Sequence, residues 1–391
     1  MSVDFSSKYL IACLRLGRHV NDLVDSYYGP MELIEKVDKE HSRPLGEIFL
    51  DFEELKKEIV SAQIDEMRKT FLLKQVKALQ ATTREKMGVT APYREYVSST
   101  LDIEPKDVKE QEISELRTQL ETLLKKKGYH GNLTEMLLES KKKRLISGER
   151  LVDLFYNLLT EARYETMKSF NLPAGERVEL SILKDRPWTS DNRYLGNYKS
   201  LVELNIQMPV TSSSLPLHVT HQSYPGHHTE HVLKEMELYL GKKQLESSIL
   251  LVNTPECTMS EGLAETSRKF ILGEPSMAED RIEDLEMKFR RAVRVNTALM
   301  VYDKRLDLEQ TKEYFTEEGA YEKKESELGM RFVLDPLLRA YLFTYYEGER
   351  LISDAWKRAK EAGKIEQLLQ ILYREENCPT TFKEKVEKLF K

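Results

Sequence analysis

The sequence predicts a mainly α-helical protein with one small antiparallel β-sheet. Apolar residues recur with helical period over most of the 391 residues. Strict alternation of apolar and polar residues replaces that period only between Pro173 and Pro209. Five of the eight histidines then follow within fourteen residues, from His218 to His231. Clustered histidines are typical of metal sites, so the functional interpretation begins there.

The helical segments are predicted from the spacing of apolar residues. Positions 16, 20, 23, 24 and 27 are apolar and predict a first helix that Gly29 and Pro30 end. Leucines with similar spacing from Leu116 to Leu124 predict another, with Gly128 at its C-cap. Further helices are expected near 50–85, 132–169, 281–306, 309–327, 335–360 and 364–375.

Two strands are predicted in the alternating region. Apolar residues share one face of a segment at 178–182 and one face of another at 202–206. The intervening residues 185–196 are rich in turn-forming and aromatic residues and predict a loop. We expect the strand Leu201 to Gln207 to form one wall of a cleft, where an extended peptide could pair with it. A purely structural hairpin is the alternative.

Composition limits the classes of partner and the location. The chain has 60 basic and 66 acidic residues and no long basic block, which argues against nucleic-acid binding. No stretch approaches the length of a membrane span, and the apolar run Leu10 to Leu14 is too short for a signal peptide. Three widely spaced cysteines favour a reducing compartment, so we expect the cytoplasm.

A chain of 391 residues is long enough to form two regions that pack as one body around a cleft. We place a helical region at 1–170 and the metal-site region at 171–391. The sequence carries no prediction of the oligomeric state.

His221 and His227 are the candidate metal ligands. A short zinc motif places two histidines four residues apart on one helix face, whereas these two are six apart. Pro225 and Gly226 interrupt a regular helix, and two residues looped out would return His227 to the face of His221. His228 remains the second choice for this position.

Glu261 is the candidate third ligand, because two histidines and one glutamate are a common zinc set with an open position for water. Glu265 lies one helical turn later and could accept the free N–H of a ligand histidine. These residues predict one bound Zn²⁺.

The segment from His221 to Glu230 reads His-Gln-Ser-Tyr-Pro-Gly-His-His-Thr-Glu. It resembles the His-Glu-Ala-Tyr-Pro-Gly-His-His-x-Gln motif of the family catalogued as domain of unknown function 885, which is similar to zincin metallopeptidases. The segment from Ser260 to Ala264 is similar to that family's Glu-Gly-Trp-Ala box, and Tyr345 begins a Tyr-x-x-Gly segment.

The resemblance implies a mainly helical, zincin-like metallopeptidase fold. It implies metal positions at His221, His227 and Glu261, and it implies that Tyr345 donates a hydrogen bond to an oxyanion or to the substrate.

One departure from the family motif concerns catalysis. Gln222 replaces a glutamate that takes the proton of the attacking water in zincins, and an amide cannot accept that proton at neutral pH. Glu230, Glu256 or Glu265 could substitute. The main hypothesis is a zinc-dependent hydrolase of short peptides. The alternatives are a catalytically impaired relative that binds metal or peptide without efficient turnover, and a helical interaction protein that binds no metal.

Overall fold

The computed structural model describes residues 5–184, 186, 188–207 and 209–391. These residues form a mainly helical protein with two small sheets, which confirms the predicted class. Asp185 and Pro187, which belong to the predicted loop, lie outside the described residues. In the part that is described, no helix combines the length and apolar character needed to cross a bilayer.

The first helices are α1 (Phe5–Gly17), α2 (Met31–Lys39), α3 (Leu45–Ser61), α4 (Glu66–Lys86), α5 (Tyr93–Leu101), α6 (Glu110–Lys126), α7 (Leu133–Arg144) and α8 (Gly148–Thr166). They are followed by α9 (Ser214–Gln222), α10 (His227–Lys234), α11 (Pro255–Ile271), α12 (Ala278–Tyr302), α13 (Leu308–Glu318), α14 (Lys323–Leu334), α15 (Leu338–Ala362), α16 (Ile365–Arg374) and α17 (Pro379–Leu389). The strands are β1 (Val24–Tyr27), β2 (Arg177–Leu183), β3 (Ser190–Gly196), β4 (Lys199–Asn205) and β5 (Ile249–Leu251).

The predicted first helix is wrong over its second half. The helix α1 ends at Gly17, and the chain then turns and enters β1. Leu16 and Leu23 are both fully buried, but Val24 pairs with Leu251 of β5. The apolar spacing therefore marks residues that point inward from a helix, a turn and a strand.

Three predicted long segments are each divided into two helices. Within 50–85, α3 ends at Ser61 and a separate helix, α4, begins after Asp65. The side chain of Asp65 accepts hydrogen bonds from two free N–H groups in the first turn of α4 and so stabilises this new start. Similar breaks separate α7 from α8 and α13 from α14. The predicted helices at 281–306, 335–360 and 364–375 agree with α12, α15 and α16, and Gly128 follows α6 with a φ of 83°.

The larger sheet is mixed, which corrects the prediction of a purely antiparallel sheet. Its strand order is β2-β4-β3, with β4 parallel to β2 and antiparallel to β3. The strand β3 occupies much of the predicted loop 185–196. A second sheet pairs β1 with β5 in antiparallel fashion.

The apolar cores join early and late parts of the chain. One core combines residues of α5 to α7 with residues of α12 to α15. Another packs α8 against β2, β4 and α9 through Phe155, Val202 and Val219. Residues on both sides of position 170 therefore share cores, and α9 is held on the sheet.

Candidate metal centre and cleft

The two candidate histidines lie on consecutive helices that meet at a tight turn. His221 is in the last turn of α9, and His227 is the first residue of α10. The prediction that Pro225 and Gly226 would loop two residues out of one helix is wrong, since one helix ends and a second begins. A Cβ atom at Gly226 would lie 1.9 Å from the carbonyl oxygen of His221, so only glycine fits this turn.

Three potential ligand groups converge between α9, α10 and α11. The Nε2 atoms of His221 and His227 are 3.1 Å apart. The carboxylate of Glu261 places Oε2 3.3 Å from His221 Nε2 and Oε1 3.6 Å from His227 Nε2. One ligand atom from each residue lies within 4.8 Å of the others, and the described residues contain no further group of this kind.

A hydrogen bond to Glu265 orients the ring of His221 and keeps a proton on its Nδ1 atom. Glu265 Oε1 lies 3.1 Å from His221 Nδ1 and 2.6 Å from a guanidinium nitrogen of Arg291. Burial alone would raise the pKa of Glu265, but Arg291 and His221 outweigh it and lower the pKa to about 2. An ionised carboxylate only accepts, so the neutral form of His221 carries its proton on Nδ1.

A longer chain of hydrogen bonds orients His227. Ser260 donates its hydroxyl proton to Glu230 Oε2 at 2.6 Å, and Lys234 binds the other oxygen of Glu230 at 2.7 Å. Burial acts to raise the pKa of Glu230, but the ammonium of Lys234 outweighs it and the pKa is lowered. Ser260 Oγ therefore accepts from His227 Nδ1 at 3.2 Å, which turns His227 Nε2 toward His221.

The electrostatics favour positive charge between the two histidines. Burial would lower the pKa of His221, but the carboxylates of Glu265 and Glu261 outweigh it and raise the pKa to about 10. Burial acts to raise the pKa of Glu261, but His227 and His221 hold it well below its usual range. In the absence of a metal, a proton between the imidazoles would supply this charge.

The residues present fit a transition-metal ion. Glu261 is only 5% exposed, and its Oε2 atom accepts no hydrogen bond among the described residues. Two imidazole nitrogens, which a metal ion would bind in place of the proton between them, and one carboxylate are the donor set of many zinc sites that keep a position open for water. Loss of a buried acceptor's partner costs about 1–3 kcal/mol, which a bound cation would offset.

Gln222 lies beside this group, on the wall of the cleft. Its Nε2 atom donates to the carbonyl oxygen and to the hydroxyl oxygen of Ser190, both at 3.2 Å. A carbonyl oxygen can only accept, so a carboxylate could not reproduce the first of these bonds. The contact with Ser190 is therefore specific for an amide at position 222.

Tyr345 lines the same cleft. Tyr341, one helical turn earlier on α15, donates its hydroxyl proton to Glu261 Oε1. Sequence analysis missed Tyr341, although its spacing of four residues from Tyr345 was a usable signal. Ser260 and Arg291 were missed as well, because neither residue type is distinctive outside its three-dimensional setting.

His228 points away from the candidate metal centre. Its Nδ1 atom lies 2.8 Å from Ser200 Oγ, its Nε2 atom lies 2.9 Å from Glu176 Oε2, and it has no exposed surface. This geometry places His227, and not His228, beside His221.

The three carboxylates considered as substitute bases are all engaged. Glu230 and Glu256 both bind the ammonium of Lys234, and Glu265 bridges Arg291 and a histidine ring. None of them is therefore a free proton acceptor.

The centre opens onto a cleft of about 1230 Å³. Its walls include β1, the end of α4, β3, α11 and the first turns of α15, so it lies between early helices and the later body. The predicted wall strand, Leu201 to Gln207, is wrong. Most of that segment is β4, which is paired on both sides in the middle of the sheet, and the strand at the cleft is β3.

No protein-family model and no curated protein sequence matches this chain. A suspected lipoprotein from Colwellia psychrerythraea superposes with a TM-score of 0.62 and 15% identity, covering 92% of this chain and 69% of that one. A second suspected lipoprotein, of unknown function and from Shewanella oneidensis, superposes with a TM-score of 0.54 and 14% identity, covering 89% of this chain and 71% of that one. These two matches show a shared fold. An M32 carboxypeptidase from Deinococcus radiodurans superposes with a TM-score of 0.37 and 12% identity, covering 99% of this chain and 92% of that one. This similarity is too distant to support a conclusion.

Proposed function

We propose that this protein is a zinc-dependent hydrolase of short peptides. The observation that supports the proposal most strongly is the convergence of the Nε2 atoms of His221 and His227, 3.1 Å apart, with the carboxylate of Glu261, whose Oε2 atom accepts no hydrogen bond among the described residues. These three residues would hold the ion. Zinc in such a site supplies a Lewis acid that polarises a carbonyl and activates water.

The edge of β3 supports an extended peptide as the substrate. The carbonyl oxygens of Ser190 and Tyr194 accept from side chains outside the sheet, those of Gln222 and Ser26, so they point away from β4. Successive residues of a strand alternate in this direction, so the carbonyl group of Asn192, midway between them, also points away from β4, while its N–H donates to Asp191. A peptide strand could pair there beside the metal centre.

Tyr345 and Tyr341 are the candidate hydrogen-bond donors at the centre. Burial and the charge of Glu261 raise the pKa of both phenols well above the usual value. Both hydroxyl groups therefore keep their protons at neutral pH. We assign to Tyr345 the donation to a developing oxyanion, and to Tyr341 the orientation of Glu261, to which it already donates.

A specific observation favours a second candidate function, which is peptide binding with little turnover. Gln222 cannot take a proton from water, and its amide is held by the carbonyl group of Ser190. Loss of a general base typically lowers the rate by about 10²- to 10⁴-fold. In this case the metal centre and the cleft would bind a peptide without efficient hydrolysis.

Two further proposals concern kinship and location. We propose that the chain is a remote member of the family catalogued as domain of unknown function 885, since its motif residues at 221–230 and 260–264 meet at one site. We keep the cytoplasm as the proposed location because Cys13, Cys257 and Cys378 are all free thiols. Fractionation of the producing cells tests the location.

Metal analysis followed by peptide turnover tests the proposed function. We expect about one zinc per chain and hydrolysis of a mixed peptide library that a chelator abolishes. Glu261→Gln should lose the metal, whereas Glu256→Gln, the same chemical change on the same helix and cleft, should keep it. Absence of metal from the wild type would refute the metal centre, and bound metal with equal turnover before and after chelation would leave only the second candidate.

A further inference from the structure

Two aspartates lie in the cleft on neighbouring strands. Asp25 belongs to β1 and Asp191 to β3, and these strands contact each other where Ser26 Oγ donates to the carbonyl oxygen of Tyr194. Asp25 is exposed to the water of the cleft, and Asp191 is half-buried. Both carboxylates are therefore accessible to a molecule that binds in the cleft.

These aspartates differ from Glu85 and Glu256, two other acidic residues of the cleft, because they form no ion pair. Glu85 forms an ion pair with Arg339, and Glu256 forms one with Lys234. Neither Asp25 nor Asp191 has such an ion pair among the described residues. Arg193 attracts Asp25 and His227 attracts Asp191, but neither attraction is an ion pair among the described residues.

The surrounding charges make this end of the cleft negative. Arg193 attracts Asp25, but its guanidinium lies 3.7 Å from Glu203. Confinement within the walls of the cleft, followed by the charge of Asp191, raises the pKa of Asp25 to about 7. Burial and the charge of Glu203 raise the pKa of Asp191. A bound cation would relieve this repulsion.

The backbone N–H of Asn192 donates to the carboxylate of Asp191, but the side-chain oxygen of Asn192 has no donor of its own. Asn192 is 6% exposed and lines the cleft, and its Oδ1 atom accepts no hydrogen bond among the described residues. Asn192 Oδ1 and the ionised carboxylates of Asp25 and Asp191 can only accept hydrogen bonds. A ligand rich in N–H donors suits this arrangement.

An ammonium group fits better than a metal ion. Among the described residues, neither Asp25 nor Asp191 belongs to a group of three or more His, Cys, Asp or Glu side chains that could hold a metal ion. An ammonium group has three donors and can bridge two carboxylates through separate hydrogen bonds. The carbonyl group of Asn192, which points away from β4, could accept a hydrogen bond from the main chain of the same ligand.

We propose that Asp25 and Asp191 together bind the ammonium group of a peptide, at its free amino terminus or on a lysine side chain. This proposal rests on the proposed function, since it names the class of peptide that the cleft takes. Both carboxylates contribute, because charge-assisted hydrogen bonds to two acceptors hold the ammonium on the side of the cleft that β1 and β3 form.

Calorimetric titration of zinc-loaded protein with three probes tests the proposal. The probes are trialanine, N-acetyl-trialanine, and an N-acetylated Ala-Lys-Ala amide, each checked after titration to be intact. The variants are Asp25→Asn and Asp191→Asn. Asp22→Asn is the matched control, because Asp22 lines the same cleft and its φ of 60° suits asparagine. Asp191→Ala replaces any Asp191→Asn protein that fails to fold.

We expect at least one ammonium-bearing probe to bind about 10- to 100-fold more tightly than N-acetyl-trialanine. This factor is the usual contribution of a hydrogen bond to a charged group. Both aspartate variants should abolish that preference, and Asp22→Asn should retain it. Tighter binding of trialanine identifies the amino terminus, and tighter binding of the lysine probe identifies a side chain. Equal affinity for all three probes, no binding of any probe, or a preference unchanged in both aspartate variants overturns the proposal.

The same titration of metal-free protein separates this proposal from the proposed function. A preference for ammonium that persists without metal and depends on both aspartates supports the binding site even if peptide hydrolysis is never observed. Loss of turnover in Asp25→Asn with full metal occupancy would likewise leave the metal centre intact.

Discussion

Replacement of Gln222 by glutamate tests how the centre handles the proton of the attacking water. In the wild type, the amide of Gln222 donates to the carbonyl oxygen and to the hydroxyl oxygen of Ser190, both at 3.2 Å. Glutamate has nearly the same shape but cannot donate. Its carboxylate would be repelled by the carbonyl oxygen of Ser190, although the Ser190 hydroxyl could turn and donate to it.

These contacts set the expected change in stability and the expected change in activity. A carbonyl group left without its donor costs about 1–3 kcal/mol, so the free energy of unfolding should fall by up to that amount. If the carboxylate turns from Ser190 toward the metal centre, it can act as a general base and raise turnover roughly 10²-fold or more. We therefore expect Gln222→Glu to be somewhat less stable and more active than the wild type.

Peptide hydrolysis by metal-loaded protein, with and without chelator, measures the activity, and urea unfolding measures the stability. Gln222→Ala is the control, since it loses the same bonds to Ser190 and gains no carboxylate. Equal chelator-sensitive turnover in the wild type and Gln222→Glu would show that another residue takes the proton. Turnover that stays at background in both proteins would refute the peptidase hypothesis.

Four further outcomes follow from the contacts of single residues. Glu261→Gln should lower zinc occupancy sharply by elemental analysis, and unchanged stoichiometry would remove Glu261 from the site. Ser260→Ala should weaken zinc affinity about 10-fold or more, because His227 loses the acceptor of its Nδ1 proton, while Ser260→Thr should largely restore it; equal affinities in a competition titration would argue against this role. His228→Ala should lower the free energy of unfolding by about 1–3 kcal/mol without changing zinc content, and loss of zinc from a folded variant would contradict our assignment. Burial, followed by the charges of nearby carboxylates, raises the pKa of Glu376 to about 8. This carboxyl group therefore disfavours folding increasingly as pH rises from about 4.5 to 8, and Glu376→Gln should gain stability relative to the wild type at pH 8 but not at pH 5, as urea unfolding at the two pH values would show.

Parts of the candidate centre could be predicted because the residue types are chemically distinctive. Histidine and glutamate in this spacing have few uses besides metal binding, and Gly226 marks a turn that no side chain could enter. The predominance of helix was predictable for a similar reason, since apolar periodicity over long segments has one common structural solution. Neither conclusion required knowledge of distant contacts.

Only the tertiary structure decided where these groups face and what surrounds them. The apolar residues from Leu16 to Val24 fit a helix by spacing, but β5 supplies a pairing partner more than two hundred residues away and draws Val24 into a strand. Likewise β3, in a segment that resembles a loop, becomes the edge strand because β4 inserts between it and β2. Sequence periodicity indicates which residues are buried, whereas long-range pairing decides which elements they pack against.

The same distinction separates the ligands from the residues that orient them. His227 and His228 are adjacent in sequence and chemically identical, and only the positions of Ser260 and Glu176 decide which ring faces the centre. The sequence alone identified candidate metal ligands. The folded chain decided their protonation, because each proton position depends on a hydrogen-bond partner brought from a distant element.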